Sequence, residues 1–171
     1  CDWSSDVCSS DLRYLGWLSD PEVNRYLETR WSEQTMSSIK DFVRAKLAST
    51  DSYLFAIIER TSGAHIGNIK LGPIDPHHSC ADLSYFIGER CYWGRGHATE
   101  AIRLAVHFGF RVAGLHRIQA GVYSANIASA KALERNGFVR EGLLRSKFAS
   151  GDGERQDHLL FGVIRSEWQQ T

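Results

Sequence analysis

Apolar residues recur along the chain with two periods, and each change of period marks an element. Val23 and Leu27 lie four apart behind Asp20-Pro21-Glu22, an acceptor cap followed by proline at the first helical position. Ile39, Phe42, Val43 and Leu47 repeat at the helical period and predict a longer amphipathic helix over 34–48, capped by Ser32 or Thr35. The pattern then turns aromatic and β-branched. Strands are predicted over 53–59, 64–72 and 80–88, with a turn at 61–63 and a proline-containing loop at 73–79. A glycine-bearing stretch from 89 leads into a helix ending near Arg111, with Ile102, Ala105, Val106, Gly109 and Phe110 on its buried side. A strand over 116–123, a helix over 126–137 and strands over 138–148 and 157–164 complete the order. Helices and strands interleaved in this way predict one mixed α+β domain with a mostly antiparallel sheet and helices on both faces.

Residues 1–12 break the pattern, with neither a helical period nor strand alternation. Residues 2–12 match one reading frame of a translated sequencing-library adapter, so 1–12 are read as an artefactual, unstructured tail with few contacts. The single domain is then 13–171. Three acidic residues (Asp2, Asp6, Asp11) and two cysteines (Cys1, Cys8) fall in the tail. What remains has a slight basic excess and only Cys80 and Cys91, which is no disulfide framework, and a cytoplasmic setting is expected. The whole chain balances 20 basic against 20 acidic side chains, which gives no electrostatic warrant for a nucleic-acid partner. Apolar runs such as 53–58 and 159–164 are far too short to cross a bilayer, so no membrane partner is expected.

Gly94-Arg95-Gly96-His97-Ala98 carries the chemistry. Glycines between a strand and a helix let a ligand approach the backbone, and the first helical amides form an anion site. The dinucleotide fingerprint is absent because Thr99 stands at the third glycine position, and no GK[ST] follows. The seven histidines include His77-His78, His97 and His158 but show no HExxH spacing, so no metal site is expected. Cys91 lacks a histidine and acid in sequence to make it a nucleophile.

With these elements in order, 17-WLSDPEVNRYL-27, 92-YWGRGHATEAI-102 and 126-NIASAKALERNGF-138, followed by Glu141-Gly142, resemble the GNAT superfamily of acyl-CoA N-acetyltransferases. The resemblance is to the branch that includes the ribosomal-protein N-acetyltransferases, and it covers about 13–166. It implies a GNAT-like fold whose first strand is lost, leaving an exposed sheet edge near 53–59. The superfamily motif Gln/Arg-x-x-Gly-x-Gly/Ala falls on Trp93, Gly94, Arg95, Gly96, His97 and Ala98, with Trp93 departing from Gln/Arg. The resemblance implies that amides from Arg95 to Thr99 hold the pyrophosphate of acetyl-CoA, the cosubstrate. It implies that the strand at Phe86, Ile87 and Gly88 bonds the pantetheine arm and splays from the strand at 116–123. Asn126 and Ser129 match a polar pair along the coenzyme's route, and Asn126 is also a natural helix cap.

Direct acetyl transfer to a primary amine requires a neutral amine, an oxyanion donor such as an amide near Ile87, and a proton for the thiolate. Candidate catalytic residues are Asp82, Glu100, Tyr123 and Ser129. Asp82 and Ser84 share a strand face. Tyr26, Arg30 and Trp31, between the first two predicted helices, join Ser84 as candidate acceptor contacts. The acceptor is left open among a protein N-terminus, a polyamine, an amino acid and an amino sugar. The alternative is a non-catalytic acyl-CoA-binding or regulatory module. A monomer or homodimer is expected.

Overall fold

A computed structural model describes residues 7–151 and 153–168. Among the described residues there are five α-helices, α1 (Val7–Ser19), α2 (Pro21–Asn24), α3 (Met36–Ala48), α4 (His97–Arg111) and α5 (Ile127–Glu134). They pack on six strands, β1 (Tyr53–Ile58), β2 (His65–Asp75), β3 (Cys80–Ile87), β4 (Arg117–Tyr123), β5 (Val139–Ala149) and β6 (Arg155–Ile164). The sheet order is β1-β2-β3-β4-β6-β5, and only the β3–β4 pairing is parallel. β1 forms one edge, as expected for 53–59.

Local chemistry explains the helix ends. Asp20 Oδ1 accepts the Glu22 amide at 2.8 Å, with Pro21 in the first turn. Thr35, rather than Ser32, caps α3 through a reciprocal box with Ser38. The predicted core stripe of α4 is buried throughout, and a Cβ at Gly109 would come within 2.7 Å of Ile118 Cδ1. Glycine there lets α4 lie close on the sheet.

Three expectations need correction. The backbone of Val7–Leu12 is helical, not unstructured, while residues 1–6 lie outside the described residues. Tyr14, Trp17 and Leu18 give α1 its reason to exist: Trp17 and Leu18 are buried, and the Trp17 indole sits edge-on to Phe86 and His65. The stripe of α3 is only partly covered, since Ile39 is buried but Phe42 and Leu47 are 38% and 59% exposed. Finally, β2 runs on through Gly72 and Pro73 to Asp75, with its register shifted between Leu71 and Ile74, so the expected loop is shorter.

Candidate active site

The turn before α4 is bare. Gly94 and Gly96 have φ of +73° and +87°, and no atom lies within 4 Å of where a Cβ would stand on either. Gly96 is the N-cap of α4, and no side chain caps that end. The first amides of a helix have no intrahelical acceptor and carry the positive end of its dipole. The space beside Gly96 at this head is open. Trp93 Nε1 donates to Ile87 O at 2.8 Å and fastens the turn to the end of β3.

Beside this turn the sheet comes apart. β3 pairs with β4 only over Cys80–Asp82 and Arg117–Gln119, although β3 continues to Ile87 and β4 to Tyr123. The other edge of β3 stays paired to β2 as far as Ile87. Gly88 N donates to Ile66 O at 2.8 Å. Successive strand amides alternate edges, so those of Ile87 and Tyr85 face the gap between β3 and β4.

The α5 side of the gap is polar at one point. Asn126 Oδ1 accepts the Ser129 amide at 3.2 Å, fulfilling its capping role. Ser129 Oγ lies 2.7 Å from Tyr85 Oη, which also donates to Ser129 O at 3.2 Å. Burial pushes the Tyr85 phenol up to about 12. Asn136 Nδ2 donates to Thr99 O at 3.0 Å and ties α5 to the head of α4.

Across the sheet, Asp82 and Ser84 are exposed on the opposite face of β3. Asp82 Oδ1 accepts from Gln119 Nε2 at 2.8 Å. Tyr26, Arg30, Trp31 and Tyr123 come together on this face as one cluster. Arg30 Nη2 donates to Tyr123 Oη at 3.0 Å and to Ala149 O at 2.6 Å, and its guanidinium lies 4.6 Å over the Trp31 ring. Tyr26 and Tyr123 rings are 5.7 Å apart. Glu28, unforeseen from the sequence, accepts the Tyr123 hydroxyl proton. Burial, then the Glu28 carboxylate, pushes the Tyr123 phenol up to about 12.

Two candidates are turned elsewhere. Phe86 points its ring at Tyr14 and Trp17, so only its backbone belongs to the β3 edge. Glu100 lines an apolar groove of about 510 Å³ between α4 and β1, with Phe55, Ile57 and Phe108, away from the gap. Among the described residues no group of His, Cys, Asp or Glu could hold a metal ion, and no helix is long and apolar enough to cross a membrane.

The family model for the acetyltransferase (GNAT) domain matches residues 6–139. The chain belongs to the GNAT acetyltransferase family. It is 30% identical over 156 residues to the N-acetyltransferase p20 of Bacillus licheniformis, across 89% of this chain and 85% of that relative. It is 31% identical over 105 residues to the ribosomal protein uS5-alanine N-acetyltransferase of Escherichia coli, across 61% of this chain and 51% of that one. Its fold is similar to that of the spermidine N-acetyltransferase of Vibrio cholerae in complex with CoA and spermine. That match has a TM-score of 0.81 at 22% identity and covers 92% of each chain. The GNAT protein is therefore an N-acetyltransferase that uses acetyl-CoA as cosubstrate. The bare glycine turn, the uncapped head of α4 and the free β3 edge fit that molecule.

Proposed function

We propose that this GNAT protein transfers the acetyl group of acetyl-CoA directly to a primary amine within a ternary complex, the amine being a protein N-terminus or a small amine such as a polyamine. The single observation that carries the reading is the parting of β3 from β4 next to the uncapped α4 head. One opening then joins the two faces of the sheet, so coenzyme and amine can meet end to end.

In this reading the amides of 95–99 hold the pyrophosphate and the β3 edge holds the pantetheine arm. The Ile87 amide donates to the carbonyl oxygen as it gains charge. Ser129, supported by Tyr85, stands on the thiolate's side. Asp82, Ser84 and the Tyr26–Glu28–Arg30–Trp31–Tyr123 cluster line the amine's approach. Two carboxylates among aromatic rings suit a cationic amine. The relatives that act on a ribosomal protein's alanine and on spermidine support an amine acceptor without choosing between them.

The test is thioester consumption with a panel of alanine-starting peptides, spermidine and amino sugars. Turnover that depends on one amine class supports the reading. Tight acetyl-CoA binding without consumption for any amine overturns it in favour of a coenzyme-binding module.

A further inference from the structure

His158 is buried, only 8% exposed, and its Nδ1 is buried with no hydrogen-bond partner. It sits on β6 directly opposite Tyr123 of β4, and residues paired in this way share a sheet face. That face is the one bearing Glu28, Arg30 and Tyr123. The ring reaches across to β4. A Cβ on Gly121 would lie 2.0 Å from His158 Nε2 and 2.7 Å from Cε1, so the tip of the imidazole lies over Gly121 with Nε2 foremost. Pairing between β4 and β3 ends at Gln119, so Gly121 borders the gap. Phe148 lies 4.5 Å from the imidazole and stacks 4.0 Å from Tyr123. Glycine at 121 thus leaves room for an imidazole from the next strand at the border of the gap.

We propose that His158 is a catalytic residue, the group that removes the proton from the acceptor amine as it attacks. This inference rests on the acetyl-transfer reading above. The carboxylates on the same face are already engaged, Asp82 by Gln119 with Lys70 nearby, Glu28 by Tyr123 and Glu141 by Arg117. No hydrogen bond ties the His158 Nδ1. The charged groups around it are Glu28 and Arg30 from the turn at 28–31 and Lys147 from β5, with Tyr123 on β4. Burial and Lys147 hold the imidazole below its usual range, against the opposing pull of Glu28, so it is neutral and able to accept at physiological pH. In the step, the amine nitrogen forms its bond to the thioester carbon and carries one surplus proton. That proton passes to Nε2, the C–S bond breaks, and the sulfur leaves as thiolate. Proton exchange with water then neutralises imidazolium and thiolate, leaving amide and CoA thiol.

The test compares wild type with His158→Phe, which refills the space beside Phe148, and with His158→Gln, which keeps a polar side chain. Each is measured against the amine that the wild type uses best. Expected are folded proteins with unchanged acetyl-CoA affinity, kcat lower by about 100-fold, and loss of the acidic limb of the kcat/KM profile. A folded variant that keeps kcat within about threefold of wild type and retains that limb overturns the assignment of His158 alone. A wild type that consumes acetyl-CoA with no amine overturns the parent reading and this one with it.

Discussion

The Tyr85 hydroxyl lies 2.7 Å from Ser129 Oγ and joins β3 to α5 where the sheet parts. Either oxygen can be the donor. When Tyr85 donates, the serine proton is free to turn toward the gap.

The Tyr85 phenol is pushed up to about 12, so it stays a neutral hydroxyl at any ordinary assay pH. Tyr85→Phe should lower kcat by about tenfold and leave the KM for acetyl-CoA unchanged. It should add no new limb to the pH profile below about pH 10. Ser129→Ala should have a similar effect, and the double variant should be no worse than the worse single one. Steady-state kinetics on all three checks this.

Arg117 and Glu141 pair across β6, with Nη1 donating to Oε1 at 2.7 Å. Gly162 lies beneath them, and a Cβ there would stand 2.5 Å from either side chain. Glu141→Ala should destabilise the fold by roughly 1 kcal/mol, since the pair is partly exposed. The arginine holds the Glu141 carboxyl below its ordinary 4.5. The pair's stabilisation is therefore present above pH 4.5 and lost as the pH falls through the lowered value. Denaturant melts of wild type and variant should differ less in stability at pH 3 than at pH 7.

His158 gives a second acid-sensitive contribution. Its folded value lies below the usual 6.5, so the unfolded chain binds the proton first. Stability should be full above pH 6.5 and decline below it as the imidazole is forced to charge. In His158→Phe that part of the decline should vanish while the Glu141 part remains, as thermal melts across pH 3–7 would register.

Much of this was legible in the sequence where local pattern and local chemistry coincide. The stripe from Ile102 to Phe110 and the glycines at 94 and 96 each report their own backbone's needs. Residues whose meaning comes from a distant partner were not legible. Tyr14, Trp17 and Leu18 form a helix face only because β3 and its Gly88 receive the indole. A Cβ on Gly88 would stand 2.1 Å from Trp17 Cδ2. Tyr85 reads as an ordinary strand aromatic until α5 brings Ser129 to it. Glu28 lies in the turn between α2 and α3, and nothing near it in sequence announces Tyr123. His158 looks like one scattered histidine until Gly121, on another strand, leaves room for its ring. Phe42 and Leu47 err in the other direction: a helical period predicts a face, but tertiary packing decides how much of it is covered.

In the proposed function everything depends on the uncapped head of α4 holding the coenzyme's phosphates. Gly96→Asp places a carboxylate at that head, at a φ of +87° where any side chain is strained. Calorimetric titration of acetyl-CoA into wild type and this variant, with folding checked by circular dichroism, is the most direct measurement. Acetyl-CoA should bind the wild type and bind a folded Gly96→Asp at least about 100-fold more weakly, about 2.7 kcal/mol. Equal affinity in the two folded proteins would contradict it.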